Sequence, residues 1–139
     1  MKYLTIIATM LVALLVFIKA SRAEESNIME IVIKNKVYVV ELADNQTTEV
    51  LKKMLPLTID MSDLHGNEKY YYLDQSLPTN AKPIGKINAG DIMLFGNDCL
   101  VLFYKSFDNP YSYTKIGQVS NTEDLAQTLG NGKVTVTLK

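Results

Sequence analysis

The chain holds one histidine and one cysteine, so any chemistry that needs either has a single address. His65 is the only side chain whose unperturbed pKa lies near neutrality, and Asp60, Asp63 and Glu68 surround it in sequence. On a strand, however, Asp60 and Asp63 point to opposite faces, and the turn at Gly66 redirects Glu68. One imidazole with scattered carboxylates reads as a solvated turn, and no metal site is assigned. Every Ser/His/Asp or Cys/His arrangement would have to use His65 as its base, and no Gly-x-Ser-x-Gly elbow presents a serine. Cys99 opens an apolar strand, where a thiol behaves as a small buried group. A lone cysteine also rules out an intramolecular disulfide and the cysteine-based zinc patterns. No spacing nominates the paired carboxylates of a glycosidase. The expectation is no catalytic residue and no cofactor.

The aromatic residues are the better lead. Tyr70, Tyr71 and Tyr72 are followed by Phe103, Tyr104, Phe107, Tyr111 and Tyr113, with Asn67, Asn109, Lys105 and Lys115 beside them. Tyrosines next to amides suit a peptide- or ligand-binding groove, because each offers apolar area and a polar tip at low entropic cost. Tyrosine is also an ordinary strand residue with one side on a core. The segment Phe107 to Tyr113 reads as a loop that need not be aromatic for packing. A groove lined by Asn67, Glu68, Tyr70, Tyr104, Tyr111 and Tyr113 is therefore the candidate binding site.

These residues need elements to hold them, and the pattern is mostly β. Ile28 to Ile33 and Lys36 to Leu42 read as strands of a tight hairpin around Asn35. Asp44 to Gln46 supply helix caps, Thr47 to Met54 carry Val50, Leu51 and Met54 at helical spacing, and Pro56 stops that helix. Asn45-Gln46-Thr47 also fits an N-glycosylation sequon. Leu57 to Met61 alternates as a half-buried strand, His65-Gly66-Asn67 breaks it, and Tyr70 to Leu73 forms the next. A loop is expected through Pro78 and Pro83. Ile92 to Phe95 and Cys99 to Tyr104 read as the central strand pair, with turns at Asn88 to Asp91 and Gly96 to Asp98. Asn121 caps a second short helix through Leu129, Gly130 ends it, and Val134 to Leu138 is the last strand. Seven or eight strands without a βαβ rhythm favour a closed barrel over a sandwich, with two helices plugging its ends.

Length and charge bound the rest. The 139 residues, 47% hydrophobic and 21% charged, fit one globular domain. Residues 1 to 23 lie outside its core. Met1-Lys2 gives a positive start, Leu4 to Ile18 is apolar apart from two threonines, and Ser21-Arg22-Ala23 places small residues at −3 and −1. This reads as a signal peptide cleaved after Ala23, leaving residues 24 to 139 as an exported, periplasmic or secreted domain without membrane attachment. An uncleaved anchor is the competing reading, but fifteen helical residues rise only about 22 Å against a hydrocarbon core of roughly 30 Å. Cleavage leaves eleven lysines against fifteen acidic residues, a net charge of about −4, and removes Arg22, the only arginine. Nucleic acid is excluded as a partner for want of a basic excess. Chemistry that needs a bidentate guanidinium loses its usual agent.

Several ordered stretches resemble a known family. Leu55-Pro56-Leu57-Thr58, Asp63 through Tyr70, Gly90-Asp91-Ile92-Met93-Leu94, Leu102 through Phe107 and Tyr113-Thr114-Lys115-Ile116-Gly117 are similar to the bacterial cyclophilin-like family of small exported or flavodoxin-associated domains. The resemblance covers nearly all of residues 28 to 138. It implies a closed eight-stranded barrel capped by two helices. Its Gly-Asn-Glu-Lys-Tyr stretch falls on Gly66 to Tyr70 and nominates Asn67, Glu68 and Tyr70. Cyclophilin prolyl isomerases use an arginine within Phe-His-Arg and a pocket lined by tryptophan and phenylalanine. This chain has no tryptophan and no Phe-His pair, so no catalytic residue carries over. The expected function is a non-catalytic module for a peptide or small ligand, with weak prolyl isomerisation as the alternative. A flavodoxin-type partner is implied by the resemblance alone, for the chain has no phosphate loop or flavin motif of its own.

Overall fold

The computed structural model describes residues 27–139, so the signal peptide expected over residues 1 to 23 lies outside the described residues. Among the described residues, nine strands and two helices follow in order. They are β1 (Ile28–Ile33), β2 (Lys36–Leu42), α1 (Gln46–Met54), β3 (Leu57–Leu64), β4 (Glu68–Tyr72), β5 (Lys82–Ile87), β6 (Asp91–Phe95), β7 (Cys99–Phe103), β8 (Phe107–Val119), α2 (Leu125–Leu129) and β9 (Val134–Leu138). Every pairing is antiparallel. Around the wall the strands run β2, β1, β9, β3, β4, β7, β6, β8, and β8 returns to β2, which closes an eight-stranded barrel. β5 stands outside it, paired only with β8.

Alternation along the strands decides what faces inward. Met29, Ile31 and Ile33 of β1 meet Ile59, Met61, Ile92, Leu94, Leu100, Leu102, Val136 and Leu138 in one buried interior. The intervening residues of β6 and β7, Met93, Cys99, Val101 and Phe103, face the other way and are buried too. Their cover is the ribbon formed by β5 and the first half of β8, which folds against the outer wall through Ile84, Ile87, Phe107 and Tyr113. Both faces of β7 are thus apolar for different reasons, one core lying within the barrel and one beneath the ribbon.

Two segments correct the sequence reading. Phe107 to Tyr113 is strand rather than loop, and Lys82–Ile87, expected within the loop through Pro83, is its partner strand. Pro83, Gly85 and Pro110 are residue types that strands disfavour. The register shifts between Pro83 and Gly85, opposite Pro110 and Tyr111, so the prolines sit where the ladder is interrupted. Lys82, Pro83 and Lys86 also decorate the free edge of β5, where charge and a missing N–H discourage pairing with another chain.

The barrel closes where β8 lies between β6 and β2. Ile92 faces Gly117 and Met93 faces Lys115, so Ile116 is an extra residue that bends β8. A Cβ at Gly117 would stand 2.6 Å from the Glu41 carbonyl oxygen and 2.9 Å from Val40 Cγ1. Only glycine lets the two backbones approach so closely.

The helices cap the barrel. Asn45 caps α1 by accepting from the Thr48 amide at 2.9 Å, while its Nδ2 donates to the Lys115 carbonyl at 2.8 Å. α2 is shorter than expected, because Asn121 instead closes a turn by accepting from the Glu123 amide. Leu125 and Leu129 anchor it in the interior. At this end Lys69 points inward from β4 with 0% of its side chain exposed. Its ammonium donates to Asp63 Oδ1 at 2.9 Å and to the carbonyls of Gly130 and Gly132 at 2.8 and 2.6 Å. Three acceptors therefore satisfy its three donors. The α2–β9 loop is latched to the wall.

Candidate functional site

β4 supplies Glu68, Tyr70 and Tyr72 to one face, because residues two apart on a strand point the same way. That face is the outside of the barrel, since Lys69 and Tyr71 turn inward. The next strand, β7, places Val101 opposite Tyr70 and Cys99 opposite Tyr72. Phe95 of β6 pairs with Cys99 from the far side, and Tyr111 and Tyr113 approach on the ribbon. Together with Leu64 at the end of β3 these residues line a hollow of about 360 Å³, within the usual range for small-ligand sites.

The aromatic residues form two walls. On β4, Tyr70 and Tyr72 meet edge to face at 6.0 Å. On the other side Phe95 stands 6.2 Å from Tyr111 and 5.5 Å from Tyr113, and Tyr113 packs edge to face on Phe103 at 5.6 Å. β7 is the floor between them. Tyr72 is 62% and Tyr111 60% exposed, so the rim is apolar surface open to solvent. Tyr113, at 5%, belongs to the core beneath the ribbon. Asn109 fixes both ribbon tyrosines, since its Nδ2 donates to the Tyr113 hydroxyl and its Oδ1 accepts from the Tyr111 amide, each at 2.9 Å.

Glu68 is the only charged group in this lining. Burial pushes its carboxyl above the ordinary range, His65 pulls it back, and the Asp63 charge adds to the rise. The Cys99 thiol is pushed up to about 11, chiefly by burial and then by the negative charges of Asp98 and Glu68, with a weaker opposing bond to Tyr72. It is therefore a thiol and not a thiolate at neutral pH. Burial also raises Tyr113 above its ordinary value, against the hydrogen bond from Asn109.

Of the six residues nominated from sequence, Glu68, Tyr70, Tyr111 and Tyr113 come together here. Tyr104 does not, for it lies in the interior with its hydroxyl donating to Asp63 Oδ1 at 2.5 Å. Asn67 is used through its backbone, its amide donating to the Leu64 carbonyl and its carbonyl accepting from the Tyr104 amide. Leu64, Tyr72, Phe95, Cys99 and Val101 were not nominated. The period-two rule applied to Glu68, Tyr70 and Tyr72 would have recovered Tyr72.

The two aspartates before His65 are committed elsewhere. Asp60 accepts from the Thr135 hydroxyl at 2.6 Å, and Asp63 from Lys69, Tyr104 and the Gly66 amide. Among the described residues, no three His, Cys, Asp or Glu side chains gather as a metal site would require. A second hollow of about 540 Å³, between β2, β5 and β8, mixes Lys82, Lys86 and Lys115 with Glu41 and Asp91 and has no aromatic wall.

A closed antiparallel barrel with two end helices and a ribbon over its outer wall is a cyclophilin-type architecture. The chain belongs to the cyclophilin-like family, whose sequence pattern matches residues 31–139. It is similar in fold to the solution structure of the hypothetical protein AF2241 from Archaeoglobus fulgidus. The TM-score is 0.58 at 16% identity, with 81% of this chain and 92% of that one covered. No curated protein matches the chain.

Proposed function

We propose that this protein is a non-catalytic binding module that holds a small ligand or a peptide segment in the outer groove between β4, β7 and the ribbon. The observation that carries this reading is the pair of aromatic walls, open at Tyr72 and Tyr111, facing one another across an apolar floor with one carboxylate. A domain gains nothing in stability by leaving such side chains exposed, whereas a ligand would bury them. The absence of arginine and tryptophan from the described residues, and the protonated state of Cys99, support binding without catalysis. Export of the domain is part of the proposal, supported by the composition of residues 1 to 23.

The test is an NMR screen of the full chain against a panel of small aromatic, aliphatic and ammonium compounds. Binders should shift the amide signals of Tyr70, Tyr72, Phe95, Cys99 and Tyr111. Tyr111→Ala should remove those shifts with little change in melting temperature, because its ring is mostly exposed. Tyr113 must be probed as Tyr113→Phe, which keeps the buried ring and removes only the hydroxyl. Binders that map to other faces, or an affinity that Tyr111→Ala leaves intact, would dismiss the groove. A proline-containing peptide incubated with the protein should isomerise at the uncatalysed rate, over tens to hundreds of seconds. Acceleration would favour the isomerase instead.

A further inference from the structure

The groove has a chemical bias that narrows its ligand. Its lining contains no lysine, arginine or histidine, and its single charge is the Glu68 carboxylate. Glu68 is half-buried and takes part in none of the side-chain hydrogen bonds or ion pairs that the neighbouring acids make. A half-buried carboxylate without a hydrogen bond or ion pair gains from whatever brings a positive charge or a strong donor to it. At Glu68 the charge of His65 outweighs that of Asp63, whereas at the floor Asp98 and Glu68 both act to raise Cys99, so the field over the floor is negative.

The aromatic walls have the same preference. A ring presents a negative face, and a cation within about 6 Å of its centroid is attracted to it. One wall rises from β4 and the other from Phe95 of β6 and Tyr111 of the ribbon, with β7 as the floor between them. A cationic centre seated over β7 would have rings on both sides of it. A bare metal ion or a heavily hydrated one would find only one carboxylate and would strand the apolar surface. An alkylated ammonium satisfies both halves of the site, its charge meeting Glu68 and its alkyl groups covering the rings.

We infer that the groove selects a small organic ammonium, a positively charged nitrogen carrying apolar substituents, held between the Tyr70–Tyr72 and Phe95–Tyr111 walls with Glu68 as counter-ion. This rests on the binding-module reading and specifies its ligand. The rings on both sides and the sign of the one charge carry it together, since an apolar groove alone would accept neutral compounds equally.

The test titrates the full chain with choline and with its uncharged carbon isostere, 3,3-dimethyl-1-butanol, following amide shifts at Glu68, Tyr72, Phe95, Cys99 and Tyr111. Choline should bind at least about tenfold more tightly than the alcohol. Glu68→Gln should weaken choline by about tenfold while leaving the alcohol unchanged, with a native amide spectrum showing that the fold is intact. Should the alcohol match choline, or Glu68→Gln leave the ratio unaltered, the cationic preference is wrong while the groove remains a binding site. If choline causes no shift in these residues up to about 100 mM, the inference fails. If the alcohol and the wider neutral panel also leave them unmoved, the binding-module reading fails with it.

Discussion

A fully buried lysine side chain is unusual enough that its removal should be measurable, and the latch at Lys69 allows the size to be reasoned out. Lys69→Met keeps the length and apolar stem of the side chain and deletes the ammonium. Three acceptors then lose their donor, namely Asp63 Oδ1 and the carbonyls of Gly130 and Gly132. A buried polar group left unpaired costs about 1–3 kcal/mol, and removing one member of a buried ion pair about 3–5 kcal/mol. Against this, the ammonium no longer has to be stripped of water, and Asp63 retains the Tyr104 hydroxyl and the Gly66 amide. A net loss of about 3–5 kcal/mol is expected, set by the broken ion pair, since water can reach the carbonyl of exposed Gly132. At roughly 4 °C per kcal/mol for a domain of this size, the melting temperature should fall by about 12–20 °C in calorimetry. Tyr104→Phe removes a bond to the same Asp63 oxygen, so the two substitutions should be non-additive by at least about 0.5 kcal/mol. A Lys69→Met protein melting within about 3 °C of the parent would refute the reasoning and show that the latch is replaceable by packing.

Other outcomes follow from the same geometry. Gly117→Ala would force a methyl against the Glu41 carbonyl at the closure of the barrel, so a loss of about 1–3 kcal/mol is expected in denaturant melts. The mirror substitution Gly96→Ala, with nothing within 4 Å but φ +60, should lose less, about 1 kcal/mol. Cys99, with its thiol pushed up to about 11, should react with a maleimide far more slowly at pH 8 than free cysteine does, and equal rates would contradict its burial. The pH dependence has two signs. Burial alone would raise Asp63, but the bonds from Tyr104, Lys69 and the Gly66 amide outweigh it and hold the carboxyl below its ordinary value. Its contribution is therefore present above about pH 4 and is lost as pH falls through the lower folded value. Glu68 is raised, so its protonated form favours folding and that contribution is lost as pH rises above about 4 through the folded value. Glu68→Gln should accordingly melt higher than the parent at pH 7 and alongside it at pH 3; a lower melting temperature at pH 7 would count against an unpaired carboxylate.

How far the sequence carried depends on the residue considered. The strands of the barrel wall were readable because one face must be apolar, and Cys99 to Phe103 stood out because both faces are. The ribbon was not, because Pro83, Gly85 and Pro110 carry the signature of loops, and only pairing across an interrupted register makes strands of them. Lys69 shows a different limit. In Glu68-Lys69-Tyr70-Tyr71-Tyr72 the period of two is plain, but nothing local says whether Lys69 or Glu68 faces inward. The choice is settled by the carbonyls of Gly130 and Gly132, some sixty residues away in the chain. Tyr104 failed as a groove residue for the same reason, because its side was set by Asp63. The grouping of Glu68, Tyr70, Tyr111 and Tyr113 was legible from their chemistry, whereas their floor and far wall, Val101 and Phe95, depended on barrel topology.

β8 runs through two structures at once: residues 114 to 119 are a stave of the barrel, and residues 107 to 113 are the cover of its outer wall. This divides the molecule into a frame and a fitting. The frame is constrained on every side, with each strand bonded to two neighbours and a glycine at the closure that admits no side chain. The fitting has one free edge, two prolines and a register break, so exchanges at its exposed positions disturb no stave. Because the fitting carries Tyr111, part of one aromatic wall of the groove, exchange at Tyr111 would change what the opening accepts while the vessel keeps its shape. Family members built on this plan would then share a frame and differ in their clientele.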